Sequence, residues 1–127
     1  MRNLLSIAAF AVVATTSAQL NISLVGQLDH QALHNSDLSN IWGYTDETGI
    51  EYALIGVNGT GASNPGGISV VSLEDPSNPQ EIFFFAGPTS IWREIKVWND
   101  HAYMTTEAEN GGIVIVDLSP LPQSTNL

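Results

Sequence analysis

Two stretches of this chain, GGISVVSL at Gly66–Leu73 and GGIVIVDL at Gly111–Leu118, share a Gly-Gly pair, an isoleucine and a closing leucine. A chain that repeats itself at such a distance folds as units that pack on one another, because one short unit cannot bury its apolar surface alone. The echo reaches further back. IWGYTD (Ile41–Asp46) is matched by IKVWND (Ile95–Asp100), and YALIGV (Tyr52–Val57) by HAYMTT (His101–Thr106), with alanine kept at Ala53 and Ala102. The offset between copies falls from 54 to 49 to 45 residues. Both drops coincide with extra residues in the first copy, ETGIE and GTGASN, which lie between matched segments and never inside them. Loops tolerate such insertions and paired strands do not.

Each matched segment is short, β-branched or aromatic, and bounded by Gly, Pro, Asn or Asp, which is the signature of a strand. Asn99–Asp100 predicts a tight turn, and EDPSNP is a cluster of turn formers. EIFFFA (Glu81–Ala86) supplies a fourth strand to the first unit. Runs such as FFF, SVV and IVIV do not alternate apolar with polar, so both faces of their sheets need cover. No segment past the N-terminal leader has a helical period that could provide it, which leaves other sheets to do so. Four strands per unit, covered by neighbouring sheets at a period in the forties or fifties, predict an all-β fold of β-propeller blades. The expected division is 1–18 a leader, 19–38 a closing strand and loop, 39–87 a first blade and 88–127 a second. NISLVGQLD (Asn21–Asp29) has the character of a fourth strand and is expected to close the ring against a final blade. The second unit reads as incomplete, and the chain as the N-terminal part of a longer propeller.

The leader has the layout of a secretory signal peptide. Arg2 precedes an apolar run from Leu4 to Ala14, and Thr16 and Ala18 occupy the small-residue cleavage positions. The run is too short to cross a bilayer. Cleavage after Ala18 leaves Gln19 as the first mature residue, with Arg93 and Lys96 facing thirteen carboxylates and a net charge of −11. Such a surface repels nucleic acid and anionic lipid, both of which are bound through Lys and Arg. The absence of cysteine excludes a disulfide framework, thiol chemistry and thiolate zinc sites.

IVIVDLS resembles the LVIVD repeat of exported bacterial propellers. Together with LSNIWGYTDETGIEYALIGVNG, DPSNPQEIFFFAGPTSIWREIKVWNDHAYMTTE and GGIVIVDLSPLP, it is similar to the start of the choice-of-anchor B proteins. The resemblance covers nearly all of the chain after the leader. It implies a secreted or surface-held propeller whose further blades follow in the same polypeptide. Two departures stand out: the long GTGASN insertion, and Ser72 where the repeat usually carries Asp. No catalytic residue transfers with the resemblance.

The strongest candidate site is SIWREIKVW (Ser90–Trp98), which opens the innermost strand of the second unit at the expected channel mouth. Trp92, Arg93, Glu94 and Trp98, with Trp42 and Tyr44 from the equivalent strand of the first unit, form a candidate recognition patch, since Arg and Trp dominate binding hot spots. A structural role competes with it: Arg93 paired with Glu94 or another carboxylate, and the aromatics packed between units. His30 and His34, four residues apart and near Asp37, are weak metal candidates. They lack the glutamate of HExxH, and Asn35, Ser36 and Asp37 read as a solvated loop. Ser63 in GASNP misses the nucleophile elbow and NGTGASNPGG leads into a strand, so neither a serine hydrolase nor a phosphate loop is predicted. Glu74–Asp75 and Asp46–Glu47 are adjacent carboxylates in turns, without the spacing of a calcium loop. NIS at Asn21 and NGT at Asn58 are glycosylation acceptors only in a host that performs it. The expected function is an exported binding or scaffolding module for an extracellular protein or glycan, without cofactor. The alternative is a propeller hydrolase or lyase acting on polysaccharide.

Overall fold

The structure, a computed structural model, describes residues 22–127. The expected leader and its cleavage site before Gln19 lie outside the described residues. Within them the chain is all-β apart from one short helix. Helix α1 (His30–His34) precedes strands β1 (Leu38–Thr45), β2 (Glu51–Val57), β3 (Gly67–Ser72) and β4 (Gln80–Ala86), then β5 (Arg93–Trp98), β6 (His101–Thr106) and β7 (Ile113–Asp117). The first four strands form an antiparallel sheet in the order β1-β2-β3-β4 (sheet 1). The last three form a second antiparallel sheet in the order β5-β6-β7 (sheet 2). Every strand overlaps the segment expected for it.

The sequence repeat is also a repeat of register. Ile41 pairs with Ile55, Gly43 with Ala53 and Leu54 with Val70 in sheet 1. Their equivalents Ile95 with Met104, Val97 with Ala102 and Tyr103 with Ile115 pair in sheet 2. Turn chemistry sets this register. Asn99 and Asp100 take φ of 48° and 58°, the left-handed pair required by a two-residue hairpin. The shared Gly-Gly pair has a steric cause in sheet 1: a Cβ on Gly67 would stand 1.9 Å from the Phe85 carbonyl oxygen, so no larger residue fits.

Because side chains alternate across a strand, the register also fixes faces. One face of sheet 1, carrying Tyr44, Tyr52, Leu54, Ile68 and Val70, packs on the face of sheet 2 carrying Ile95, Ala102, Met104 and Val116. Leu54, Ile95, Ala102 and Met104 are fully buried there. Burying such a side chain stabilises the fold by about 1.5–3 kcal/mol for the larger ones. Strand β5 lies against β1 and β2. The opposite face of sheet 1 (Ile41, Gly43, Ala53, Ile55, Ser69, Val71) is equivalent to the covered face of sheet 2. The two sheets therefore stack by the same step along the chain, front of one to back of the next.

Helix α1 corrects two expectations. A period cannot show in five residues, so the helix is invisible to pattern. Its ends hold it instead: Asp29 accepts from the Gln31 and Ala32 amides, and Asn35 closes it in the left-handed conformation. The residues after it are not simply solvated, since Ser36 is buried and its hydroxyl donates to the Asn58 carbonyl at 2.6 Å. Residues Ile22–Asp29, expected as a closing strand from Asn21 onward, belong to no ladder in the structure and leave Ile22, Leu24 and Val25 exposed.

Candidate functional site

Arg93 opens β5 but does not meet solvent; it is 3% exposed. Its Nη1 donates to the Ser90 carbonyl at 2.6 Å, and its Nη2 donates to the carbonyls of Pro65 at 2.8 Å and Pro88 at 2.6 Å. The planar fork of guanidinium suits this task, because one group can serve several acceptors at fixed angles. Burial lowers its pKa while the charge of Glu107 opposes that shift. Neither Glu94 nor another carboxylate bonds it, contrary to the expected ion pair. Loop carbonyls from before β3 and before β5 take that role, so Arg93 ties the two sheets together. Its Nε is buried without a partner.

Around the outside of this anchor lies a shallow depression of ≈ 200 Å³ lined by Trp92, Arg93, Glu94, Thr105, Thr106 and Glu107. Pairing of Arg93 with Thr106 and of Glu94 with Thr105 brings the two strands' polar groups to one spot. Trp92 stands on the rim, 65% exposed. Glu107 holds that rim in place: it accepts the Ser90 hydroxyl at 2.6 Å and the Ile91 and Trp92 amides at 3.2 and 3.3 Å. The Ser90 hydrogen bond is the main reason its carboxyl titrates below the usual range. Glu107, Thr105 and Thr106 were not among the sequence candidates, and Ser90 stood only as the first residue of the candidate stretch. Strand register alone could have found the threonines, as β6 neighbours of Arg93 and Glu94.

The remaining candidates do not converge on this spot. Trp98 ends β5, about 20 Å from Trp92 at roughly 3.3 Å per residue, and is 72% exposed. Trp42 lies beneath Lys96, whose Nζ is 4.1 Å from the ring centre. Lys96 is also ion-paired with Glu94. Asn40 completes this group: its Nδ2 donates to Glu94 Oε2 at 3.1 Å, and its Oδ1 accepts the Ile95 amide at 3.3 Å. An asparagine side chain thus satisfies an amide on the edge of β5 that faces away from β6. Tyr44 belongs to the interior. Its hydroxyl donates to Asp100 Oδ1 at 3.1 Å, and burial followed by that bond pushes its pKa up to about 12.

His30 and His34 lie over the back of sheet 1. His34 Nε2 is 2.6 Å from Glu81 Oε2, and its ring stacks on Phe84 at 4.3 Å between centres. His30 Nε2 is 3.1 Å from Ser69 Oγ, which donates to Glu81 Oε2 at 2.5 Å. A carboxylate only accepts, so the serine proton goes to Glu81 and Ser69 accepts from a protonated His30 Nε2. This is not a nucleophile with its base, since Ser69 is fully buried and its proton points away from His30. Both imidazoles spend their Nε2 on the sheet, and Asp37 contributes a backbone carbonyl to the Asn58 amide instead. Among the described residues no group of three or more His, Asp or Glu stands in metal-holding geometry. The cluster latches α1 to sheet 1.

Compared with family models, with curated proteins and with solved structures, the chain matches none.

Proposed function

We propose that these two units are blades of an exported β-propeller of the kind the LVIVD repeat suggests, acting as a binding or scaffolding module outside the cell. The observation that carries the fold part is the stacking of two register-equivalent sheets front to back, with the first strand of one against the first strand of the other. Blades arranged around an axis stack in that way. The ligand part rests on the depression beside Arg93, whose lining combines an exposed indole, two threonines and a carboxylate already fixed by its own hydrogen bonds. Such a surface suits a neutral glycan, which offers C–H faces to indole and hydroxyls to Thr105 and Thr106. The hydrolase alternative gains nothing from this site. Glu94 is committed to Lys96 and Asn40, and Glu107 to Ser90 and two amides, so no carboxylate is free to act as acid or base.

The test is titration of the secreted protein with a panel of neutral oligosaccharides, read by tryptophan fluorescence and calorimetry. Saturable binding that Trp92→Ala weakens about tenfold or more, and Trp98→Ala does not, supports the reading. Binding unaffected by Trp92→Ala, or no binding across the panel, removes the glycan assignment. N-terminal sequencing of exported protein tests the address, with Gln19 the expected first residue.

A further inference from the structure

The structure joins two sequence features that the depression does not use, the His30/His34 pair and the GTGASN insertion (Gly59–Asn64). The insertion folds on itself: the Thr60 amide donates to the Asn64 carbonyl at 2.8 Å, and the Asn64 amide to the Gly61 carbonyl at 3.0 Å. One side of it holds α1, since Asn64 Nδ2 donates to the His34 carbonyl at 2.9 Å. Its base meets the exit of α1 as well, where the Asn58 carbonyl accepts the Ser36 hydroxyl and the Asn58 amide donates to the Asp37 carbonyl. The other side holds the entry to β5. There the Gly59 amide donates to the Ser90 carbonyl at 2.6 Å, and the Pro65 carbonyl accepts from Arg93 Nη2 at 2.8 Å. No slack separates these parts, because a Cβ on Gly59 would stand 2.2 Å from the Pro65 carbonyl oxygen and 2.9 Å from the Ser90 nitrogen. Ser90 in turn donates to Glu107, whose carboxylate holds the Trp92 amide. An unbroken series of contacts therefore runs from the imidazole latch to the rim of the depression. The second unit has only Glu107–Asn110 at the equivalent place, so this joint is made by what the first unit adds to the repeat.

We propose that the GTGASN loop couples the docking of α1 to the setting of Trp92, so that acid, by releasing the imidazole latch, weakens ligand binding at the depression. The weakened binding rests on the reading of the depression as a ligand site; the coupling itself does not. The element with two states is α1, docked or released, and both the latch and the rim bias it. Acid acts through His30, which is buried with its Nε2 against Ser69. The charged groups that bear on it are Glu81 from β4, His34 from α1 and the capping Asp29. Strand β3 offers the neutral Ser69, and Gly59–Asn64 carries no charged residue. Burial, helped by His34, outweighs the two carboxylates and holds the docked imidazole below its ordinary value of 6.5. A proton is therefore taken up as α1 leaves, and pH falling below 6.5 favours the released state. Glu107 is not the sensor in that range, since its carboxyl titrates below the usual carboxylate values.

The test follows two NMR signals of the full chain without ligand, from roughly pH 7.5 down to roughly pH 5.5, the range in which histidine titrates. One is the His30 imidazole. The other is the Trp92 indole N–H, identified by its loss in Trp92→Phe. The indole signal is expected to move with the midpoint of His30. In His30→Gln, which keeps a donor for Ser69 but has no titrating ring, it should stay fixed. In Asn64→Ala, which leaves the latch contacts and the depression lining in place, His30 should still titrate while the indole movement falls by at least about half. Adding Ser36→Ala should remove more of it. Should Asn64→Ala not fold by circular dichroism, Asn64→Ser, too short to reach the His34 carbonyl, takes its place. An indole that stays still while His30 titrates overturns the proposal. So does movement that persists in His30→Gln or is undiminished when Asn64 is replaced. Calorimetry with the tightest-binding neutral oligosaccharide of the panel reads the consequence. Affinity should be about fivefold or more weaker at the lower pH, and equal at both in His30→Gln. Equal affinity at both pH values in the unaltered protein, despite a moving indole, overturns the regulation of binding. Absence of binding to every oligosaccharide removes the glycan reading instead, and the indole signal decides the coupling by itself.

Discussion

Sheet 1 and sheet 2 are built on one pattern and finished differently. Sheet 1 has four strands, a neighbour sheet on its front, and α1 over part of its back. Sheet 2 has three strands and, among the described residues, one covered face and no fourth strand beside β7. Equivalent residues thus have unequal worth, since an apolar side chain contributes by the water it excludes and not by its identity. Leu54 and Tyr103 hold the same place in the repeat, yet only Leu54 is fully buried.

This pair supplies the largest contrast. Leu54→Ala is expected to cost about 2–5 kcal/mol, as for a buried leucine that leaves a cavity. Tyr103→Ala is expected to cost under about 1 kcal/mol in dispersed protein. Chemical denaturation of both variants checks it, and equal losses would break the comparison.

Next comes the joint between the sheets. Arg93→Met keeps the volume but leaves the carbonyls of Ser90, Pro65 and Pro88 without their donor. The expected loss is about 3 kcal/mol, since hydrogen bonds to a charged group count for more than neutral ones. Arg93→Lys should recover less than half of it, because a point charge on a flexible stem cannot hold three acceptors at fixed angles. Full recovery by lysine would show that charge alone matters at this position.

The smallest effect concerns the latch on sheet 1. Burial, opposed by Glu81 and helped by His34, holds the His30 imidazole below its ordinary value of 6.5. A histidine whose folded pKa is lowered contributes stability that is complete above the unfolded value and is lost as pH falls through the folded one. Loosening of the latch should therefore begin as pH falls below about 6.5, and its pH dependence should be smaller in Ser69→Ala, which has already lost the His30 contact. Imidazole NMR shifts of His30 followed with pH, alongside stability, check this; a pKa above 6.5 would reverse the sign.

The strands and their succession along the chain were legible in the sequence, because each matched segment is bounded by turn formers and rich in β-branched or aromatic residues; the order within each sheet and the pairing register came from the structure. Asn99–Asp100 and the Gly-Gly pairs made those boundaries legible. Helix α1 was not legible, since its determinants are two end caps and contacts with Ser69 and Glu81 some forty residues away. Arg93 could be placed on its strand but not given its partners, because carbonyls from two loops leave no trace in composition. The candidate patch divided for a related reason: Trp92 and Trp98 are close in sequence, but an extended strand sets them at opposite ends.

The central claim is that the two sheets are equivalent units, one closed and one open. Residue-resolved hydrogen exchange of the amides in Gly67–Ser72 and Ile113–Asp117, measured at dilution where the protein is monomeric, tests it most directly. In β3 every amide has a strand on either side, so the whole strand should be protected. In β7 alternate amides face an open edge and should exchange at least about a hundredfold faster than their β3 equivalents, while those facing β6 stay protected. Uniform protection of both strands in the monomer would contradict the account, because it would mean that the edge of sheet 2 is covered within the chain itself.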